Sequence, residues 1–256
     1  MNHRKFGRVL TAAGATHFAQ IDGSRALFLD GPPWSGSQLT GQFAELATVR
    51  ILAPLTPSKV LGIGRNYRAH AAELGHDLPS EPLLFLKPPS SVQGPGESVV
   101  LPKQSERVDF EAELGVVIGK RTRHVSVTEA LQYVFGYTVV CDVTARDLQK
   151  KDDQWTRAKG FDTFCPVGPW LVEGVDPGNL PIQLRQNGVT KQNGNTNDMI
   201  FPVAQLIAHI SGIMTLEPGD LIATGTPHGV APMHSGDQIV ITIDGVGELG
   251  FPVIAG

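Results

Sequence analysis

A chain of 256 residues, 41% of them hydrophobic, has the apolar content for one larger domain with a small appendage, but its longest apolar runs, such as 133–141, fall well short of the ~20 residues of a membrane span. No apolar stretch of signal type follows the basic start "MNHRKFGRVL", and Cys141 and Cys165 are too few for a disulfide scaffold and suit a reducing cytoplasm. A net charge of −4 with acids and bases interspersed leaves no electrostatic footprint for nucleic acid or an anionic membrane.

Residues 1–55 read as a small β-rich domain, with two strands in "ATHFAQIDGSRALFLDG" around the Asp22-Gly23 turn pair. Pro54 and Pro57 mark the boundary to a second domain, 56–256. It opens with a short strand at 60–63, then a helix-forming run at 67–74 stopped by Gly75. A strand ending at Lys87, a proline-glycine loop and a strand at "SVVL" follow. In "VDFEAELGVVIG", 108–119, apolar residues hold the even positions and Asp109, Glu111 and Glu113 the odd ones, the period of a strand with an apolar and a carboxylate face. "SVTEALQYV" reads as a short helix with Ser126 or Thr128 as N-cap, and "VFGYTVVCDV" as a strand buried on both faces that ends at Asp142. The charged run "TARDLQKKDDQWTRAKGFDTFCPVGP" reads as helix and loop. A hairpin turns on Asn187-Gly188, the clearest amphipathic helix covers 202–213, and the rest is β. Many strands, few helices and no repeats make this an α+β chain dominated by sheets.

The chemistry starts from the acids. Glu111 and Glu113 repel each other unless their face looks at water or both bind a hard cation. Asp142 at the end of an apolar strand either caps the next helix or joins that cation. Oxygen donors without thiolates or paired histidines favour Mg2+ or Mn2+, with Ca2+ also compatible. His70 and Glu73 stand at i and i+3 on one helix face, either as a surface ion pair or as a proton-transfer pair. His76 and the remaining histidines have no spacing that argues for a site. Arg146, Gln149 and Lys159 lie in the charged run, either solvated or facing an anionic substrate. "ATGTPHGV" is a Gly- and Thr-rich turn that can offer donors to anions, but it lacks the ending of a phosphate loop, and "GIG" at 62–64 lacks the rest of a dinucleotide fingerprint.

In this order, "GIGRNYRAHAAELG", "PLLFLKPPSSVQGPGESVVLP", "VDFEAELGVVIG", "GYTVVCDVTARDLQ", "QWTRAKGFDTFCPVGPW", "NGNTNDMIFPVAQLIAHIS", "LEPGDLIATGTPHGV" and "GDQIVITIDGVGEL" resemble the fumarylacetoacetate hydrolase family over residues 59–252. The resemblance implies a mixed β-sandwich roll with a small N-terminal domain, a homodimer, and one divalent metal per subunit. Carried over by motif, Glu111, Glu113 and Asp142 hold the metal, His70 and Glu73 form the catalytic pair, and Lys159 supports it. Arg146, Gln149 and Thr226 face the substrate, with Lys87 a further carry-over. The implied activity is on small 2-oxo or dicarboxylic acids through a metal-bound enolate, as C–C bond hydrolase, decarboxylase or isomerase. A 2-hydroxyhepta-2,4-diene-1,7-dioate isomerase-like role in aromatic catabolism comes first, and acylpyruvate hydrolysis or oxaloacetate decarboxylation is the alternative. The segment from Asn66 to about Pro79 would serve as a lid. A metal-dependent ligand-binding module without catalysis is the competing class, and a nucleotide enzyme a more distant one.

Overall fold

The period-2 stretch around Glu113 builds the centre of a sheet rather than its surface. In the computed structural model, which describes residues 3–73, 75 and 77–256, Ala112–Ile118 runs antiparallel to Val134–Cys141 on one side and Leu221–Ala223 on the other. Beyond Val134–Cys141 lie Cys165–Val172 and then the N-terminal strands Lys5–Leu10, Thr16–Asp22, Arg25–Leu29 and Leu39–Glu45. Beyond Leu221–Ala223 lie Val60–Gly64 and the edge strand Leu83–Lys87. With two short attached strands, Arg50–Leu52 and Val92–Gln93, this is a 12-stranded mixed sheet. A second, five-stranded sheet runs Val189–Asn195, Pro181–Gln186, Gln238–Ile243, Gly247–Ala255, Val99–Leu101.

The even positions Leu114, Val116 and Ile118 pack with Ile182, Ile241 and Leu249 of the second sheet in the main core. The odd face is buried as well. Val117, Val140 and Leu221 pack with Phe6, Leu29 and Leu55 from the N-terminal segment, which joins the large sheet where Lys5–Leu10 pairs with Cys165–Val172. The carboxylates of this strand are therefore almost wholly buried, and most of their charge has to be met inside the protein. Among the described residues no helix is long and apolar enough to cross a membrane.

The turns at Gly23 and at Asn187-Gly188 form as their sequences demand; Asn187 and Gly188 both take left-handed backbone angles, φ 52° and 80°. The amphipathic helix spans Val203–Ile213 with Val203, Leu206, Ile207 and Ile210 buried. The helix expected over 67–74 is Arg68–Glu73, and its expected end, Leu74, lies outside the described residues, as does His76. Two readings differ. The segment 126–134 forms only a 3-10 turn, Ala130–Tyr133, because the Ser126 hydroxyl bonds the Glu129 carboxylate at 2.6 Å instead of capping helix amides. The supposed loop after Phe164 is the central strand Cys165–Val172. Its two prolines and glycine hide strand character that its neighbours on both sides impose.

Candidate active site

Three chain segments deliver the acids. The strand ladder begins at Ala112, so Glu111 sits in the short break after Val108–Asp109 while Glu113 belongs to the strand. Ala112 is the register partner of Cys141. Asp142, one residue past that partner, therefore lies beside Glu111, and its N–H donates to Glu111 O at 2.9 Å. One oxygen from each of Glu111, Glu113 and Asp142 lies within 4.8 Å of the other two, and all three residues are buried. Asp142 caps no helix: the following helix, Arg146–Lys151, starts after Ala145 without a side-chain cap.

Cations surround these acids. Lys159 Nζ lies 2.9 Å from Glu111 Oε2 and also bonds Asp142 Oδ2. Arg146 donates to Glu111 Oε1 at 2.6 Å, to Asp109 Oδ2 at 2.9 Å and to Gln149 Oε1 at 2.7 Å. Lys87 donates to Asp142 Oδ1 at 2.7 Å and to Val143 O at 3.2 Å. Burial alone would raise the Glu111 carboxyl, but Lys159 and Arg146 outweigh it and hold the group well below the usual carboxylate range. Glu113 has no cation of its own. Burial, then the charges of Asp142 and Glu111, drive its carboxyl well above the ordinary value against the nearby charge of Lys159 and one hydrogen bond from Gly225 N–H at 2.8 Å. Removing that stress takes a further positive charge or a proton.

A cavity of about 480 Å³ opens on this cluster. Glu111, Glu113, Arg146, Gln149, Lys159 and Thr226 line it, together with His70 and Glu73. His70 Nδ1 is 3.2 Å from Glu73 Oε2, and Glu73 Oε1 accepts from Gly229 N–H at 3.0 Å. His70 is only 4% exposed, whereas the Glu73 side chain, 33% exposed, reaches solvent at the cavity mouth. Ile63, Gly64, Arg65, Lys150 and Trp155 complete the wall. Lys87, expected to face a substrate, does not line this cavity. It is 1% exposed and lies behind the acids, its ammonium held by Asp142 and Val143.

The sequence reading passed over several participants. Asp109 shares the alternation with Glu111, and that signal could have placed it at the Arg146 end of the cluster. Gln192, Gly225, Trp155 and Phe85, whose ring lies 4.8 Å below Lys159 Nζ, have no local signal, since only folding brings them here.

The three acids offer oxygen only, and each carboxylate keeps lone pairs beyond the hydrogen bonds it accepts. The three oxygens lie within 4.8 Å of one another, near enough for one hard cation with oxygen distances of about 2.0–2.6 Å to be reached by all of them after small side-chain adjustments. The donor set suits a divalent hard cation, and the unmatched charge on Glu113 is what such a cation would relieve.

Residues 59–254 match the family model described as fumarylacetoacetate (FAA) hydrolase, C-terminal, and residues 4–54 match one described as Rv2993c-like, N-terminal. The Rv2993c protein of Mycobacterium tuberculosis is 44% identical over 98% of both chains. The crystal structure of 2-hydroxyhepta-2,4-diene-1,7-dioate isomerase from Mycobacterium marinum superposes with a TM-score of 0.92 at 43% identity, covering 98% of each chain. Fumarylpyruvate hydrolase from Pseudomonas aeruginosa, solved with Mn2+ and pyruvate, has a TM-score of 0.75 at 32% identity and covers 81% of this chain and 92% of its own.

Proposed function

This chain belongs to the fumarylacetoacetate hydrolase family and is an enzyme of it, and on that premise we propose that it acts on 2-oxo carboxylic acids bearing a second carboxylate, with Mg2+ or Mn2+ as cofactor. The observation that carries this reading is that Glu111 and Glu113, with Asp142 close against them, line one cavity with the His70–Glu73 pair. Glu111, Glu113 and Asp142 would hold the metal, which when bound supplies Lewis-acid polarisation of a 2-oxo group.

Charge matching supports a dianionic substrate. The cavity wall carries the cations Arg65, Arg146, Lys150 and Lys159 against the carboxyl groups Glu73, Glu111 and Glu113. A divalent ion would add to this positive excess. Lys159 keeps its ammonium charged, because Asp142 and Glu111 outweigh the burial that would lower it, and it stands ready for negative charge developing on the 2-oxo oxygen. Arg146 and Gln149 offer donors to the adjacent carboxylate. His70 accepts a proton from water or from the substrate's carbon, and Glu73, anchored by Gly229, orients the ring and stabilises its charged form.

A proton taken from the hydroxyl of a 2-hydroxydiene and returned to a distal carbon of the resulting dienolate is isomerisation. Delivery of water to a distal carbonyl with the same groups is C–C hydrolysis. Isomerisation of a 2-hydroxyhepta-2,4-diene-1,7-dioate-like compound is the first reading, because the M. marinum enzyme is similar over nearly the whole of both chains. Acylpyruvate hydrolysis is the second, favoured by the likeness to the P. aeruginosa hydrolase. The test is a panel with Mg2+ or Mn2+: a hydroxydienedioate, acetylpyruvate and oxaloacetate, with products read by mass. Loss of the diene's ultraviolet absorbance at unchanged mass supports the first reading, and two fragments whose masses sum to substrate plus water support the second. Binding of all three without conversion would sink catalysis at this site and leave a ligand-binding module.

A further inference from the structure

Ala112 separates the two glutamates, and its backbone lies where the sheet runs out. The ladder between Ala112–Ile118 and Leu221–Ala223 ends at the Gly115–Ala223 pair. One step further, Thr224 still reaches Leu114 O, through its N–H at 3.2 Å and its hydroxyl at 2.9 Å. At Ala112 two side chains take over. Its N–H donates to Gln192 Oε1 at 2.9 Å, and its carbonyl accepts from Thr226 Oγ1 at 2.9 Å. Gln192 comes from Val189–Asn195 of the other sheet and is fully buried. Its Nε2 donates to Thr226 Oγ1 at 2.8 Å and to Pro227 O at 2.7 Å.

Chemistry fixes the direction of every bond in this clamp. The Ala112 N–H can only donate and the Pro227 carbonyl can only accept, so the Gln192 amide has one orientation. Thr226 then receives a proton from Gln192 and directs its own at Ala112. Thr226 lines the cavity, but its hydroxyl proton is committed to the strand rather than to a ligand. The clamp grips both polar groups of the one residue between two carboxylates that repel each other.

We propose that Gln192 is a positioning residue for the acid pair: acting through Thr226 and the Ala112 backbone, it sets the separation of Glu111 and Glu113 for a divalent cation. The proposal rests on the metal-dependent reading above, and it explains why a buried glutamine from the opposite sheet reaches this point. Partners that orient metal ligands change affinity about 10- to 100-fold when lost.

The test is Mn2+ binding to the full-length chain by calorimetry, with folding followed by far-UV circular dichroism. Gln192→Leu, similar in size but without hydrogen bonds, is expected to weaken Mn2+ affinity at least tenfold in folded protein. An unchanged affinity with only a lowered Tm means a packing role and overturns the proposal. If Gln192→Leu does not fold, Thr226→Val against Thr226→Ser decides: the serine variant, which retains the hydroxyl, should hold Mn2+ far more tightly than the valine variant, and equal affinities overturn the clamp. Failure of the parent chain to bind Mn2+ overturns the metal reading itself and the clamp with it, an outcome distinct from a binding parent with unaffected variants.

Discussion

Glu111 and Glu113 are both buried and two residues apart, yet their surroundings set them apart. Glu111 shares its oxygens with Arg146 and Lys159, whereas Glu113 accepts only the Gly225 N–H. Glu113→Gln replaces a carboxyl whose ionisation is disfavoured by burial and by Asp142 and Glu111, and it breaks no ion pair. It should raise the Tm of the metal-free protein while abolishing stoichiometric Mn2+ binding in a titration. Glu111→Gln should also abolish binding but lower Tm, by roughly 3–5 kcal/mol of stability, because it strips charge from two buried cations. A Tm that moves the same way in both variants would contradict this assignment of charges. His70→Ala touches neither set: Mn2+ affinity should stay within a few-fold while turnover falls by about 10²–10⁴. Comparable turnover would remove the imidazole from the reaction. Cys141 and Cys165 are buried free thiols, and burial pushes Cys165 up to about 12, so neither offers a thiolate to the site at neutral pH.

Two connecting segments do the holding. The turn after Pro227 carries Gly229 at φ +98°, and a Cβ there would come within 2.1 Å of Lys191 O. Gly229→Ala must therefore displace this turn, and with it the N–H that anchors Glu73. Its kcat should fall with Mn2+ affinity retained; an unchanged kcat would show that Glu73 needs no anchor. On the second sheet, Asp237 binds the hairpin turn to the next strand through Gln186 Nε2 at 2.6 Å, Asn187 Nδ2 at 2.7 Å and His234 N–H at 2.7 Å. Burial opposes ionisation of Asp237, but these hydrogen bonds outweigh it and depress its carboxyl below the usual 3.8. A depressed folded-state value means stability present above that ordinary value and lost as pH falls through the lower one. Asp237→Asn should lower Tm at pH 7 and flatten the acid limb of a Tm-against-pH curve. An unchanged limb would mean the turn holds without this charge.

At the level of the whole molecule, a cation held by groups from several strands stabilises the folded state by mass action, about 2.7 kcal/mol at a concentration of 100 Kd. Mn2+ should raise the Tm of the parent and leave Glu113→Gln unmoved; an equal rise in both would place the ion elsewhere. Much of this chain was legible beforehand. The period-2 run at 108–119, the turn pairs and the helix at 202–213 each follow from the period and turn chemistry of a few adjacent residues, and the order of motifs pointed to the family. Local pattern alone misread Cys165–Val172 as loop, since strand character there comes from neighbours on both sides. It also left three questions open: whether the acid face met water, whether Asp142 capped a helix, and whether His70–Glu73 lay on the surface. The tertiary structure decided these, by burying both faces of Ala112–Ile118, registering Cys141 against Ala112 and placing buried His70 in the cavity wall with Glu73 at its exposed edge. Sequence fixes which donors and acceptors exist and how they repeat along one element. The charge that each one meets depends on side chains such as Lys159, Arg146 and Gln192, which arrive from elsewhere in the chain.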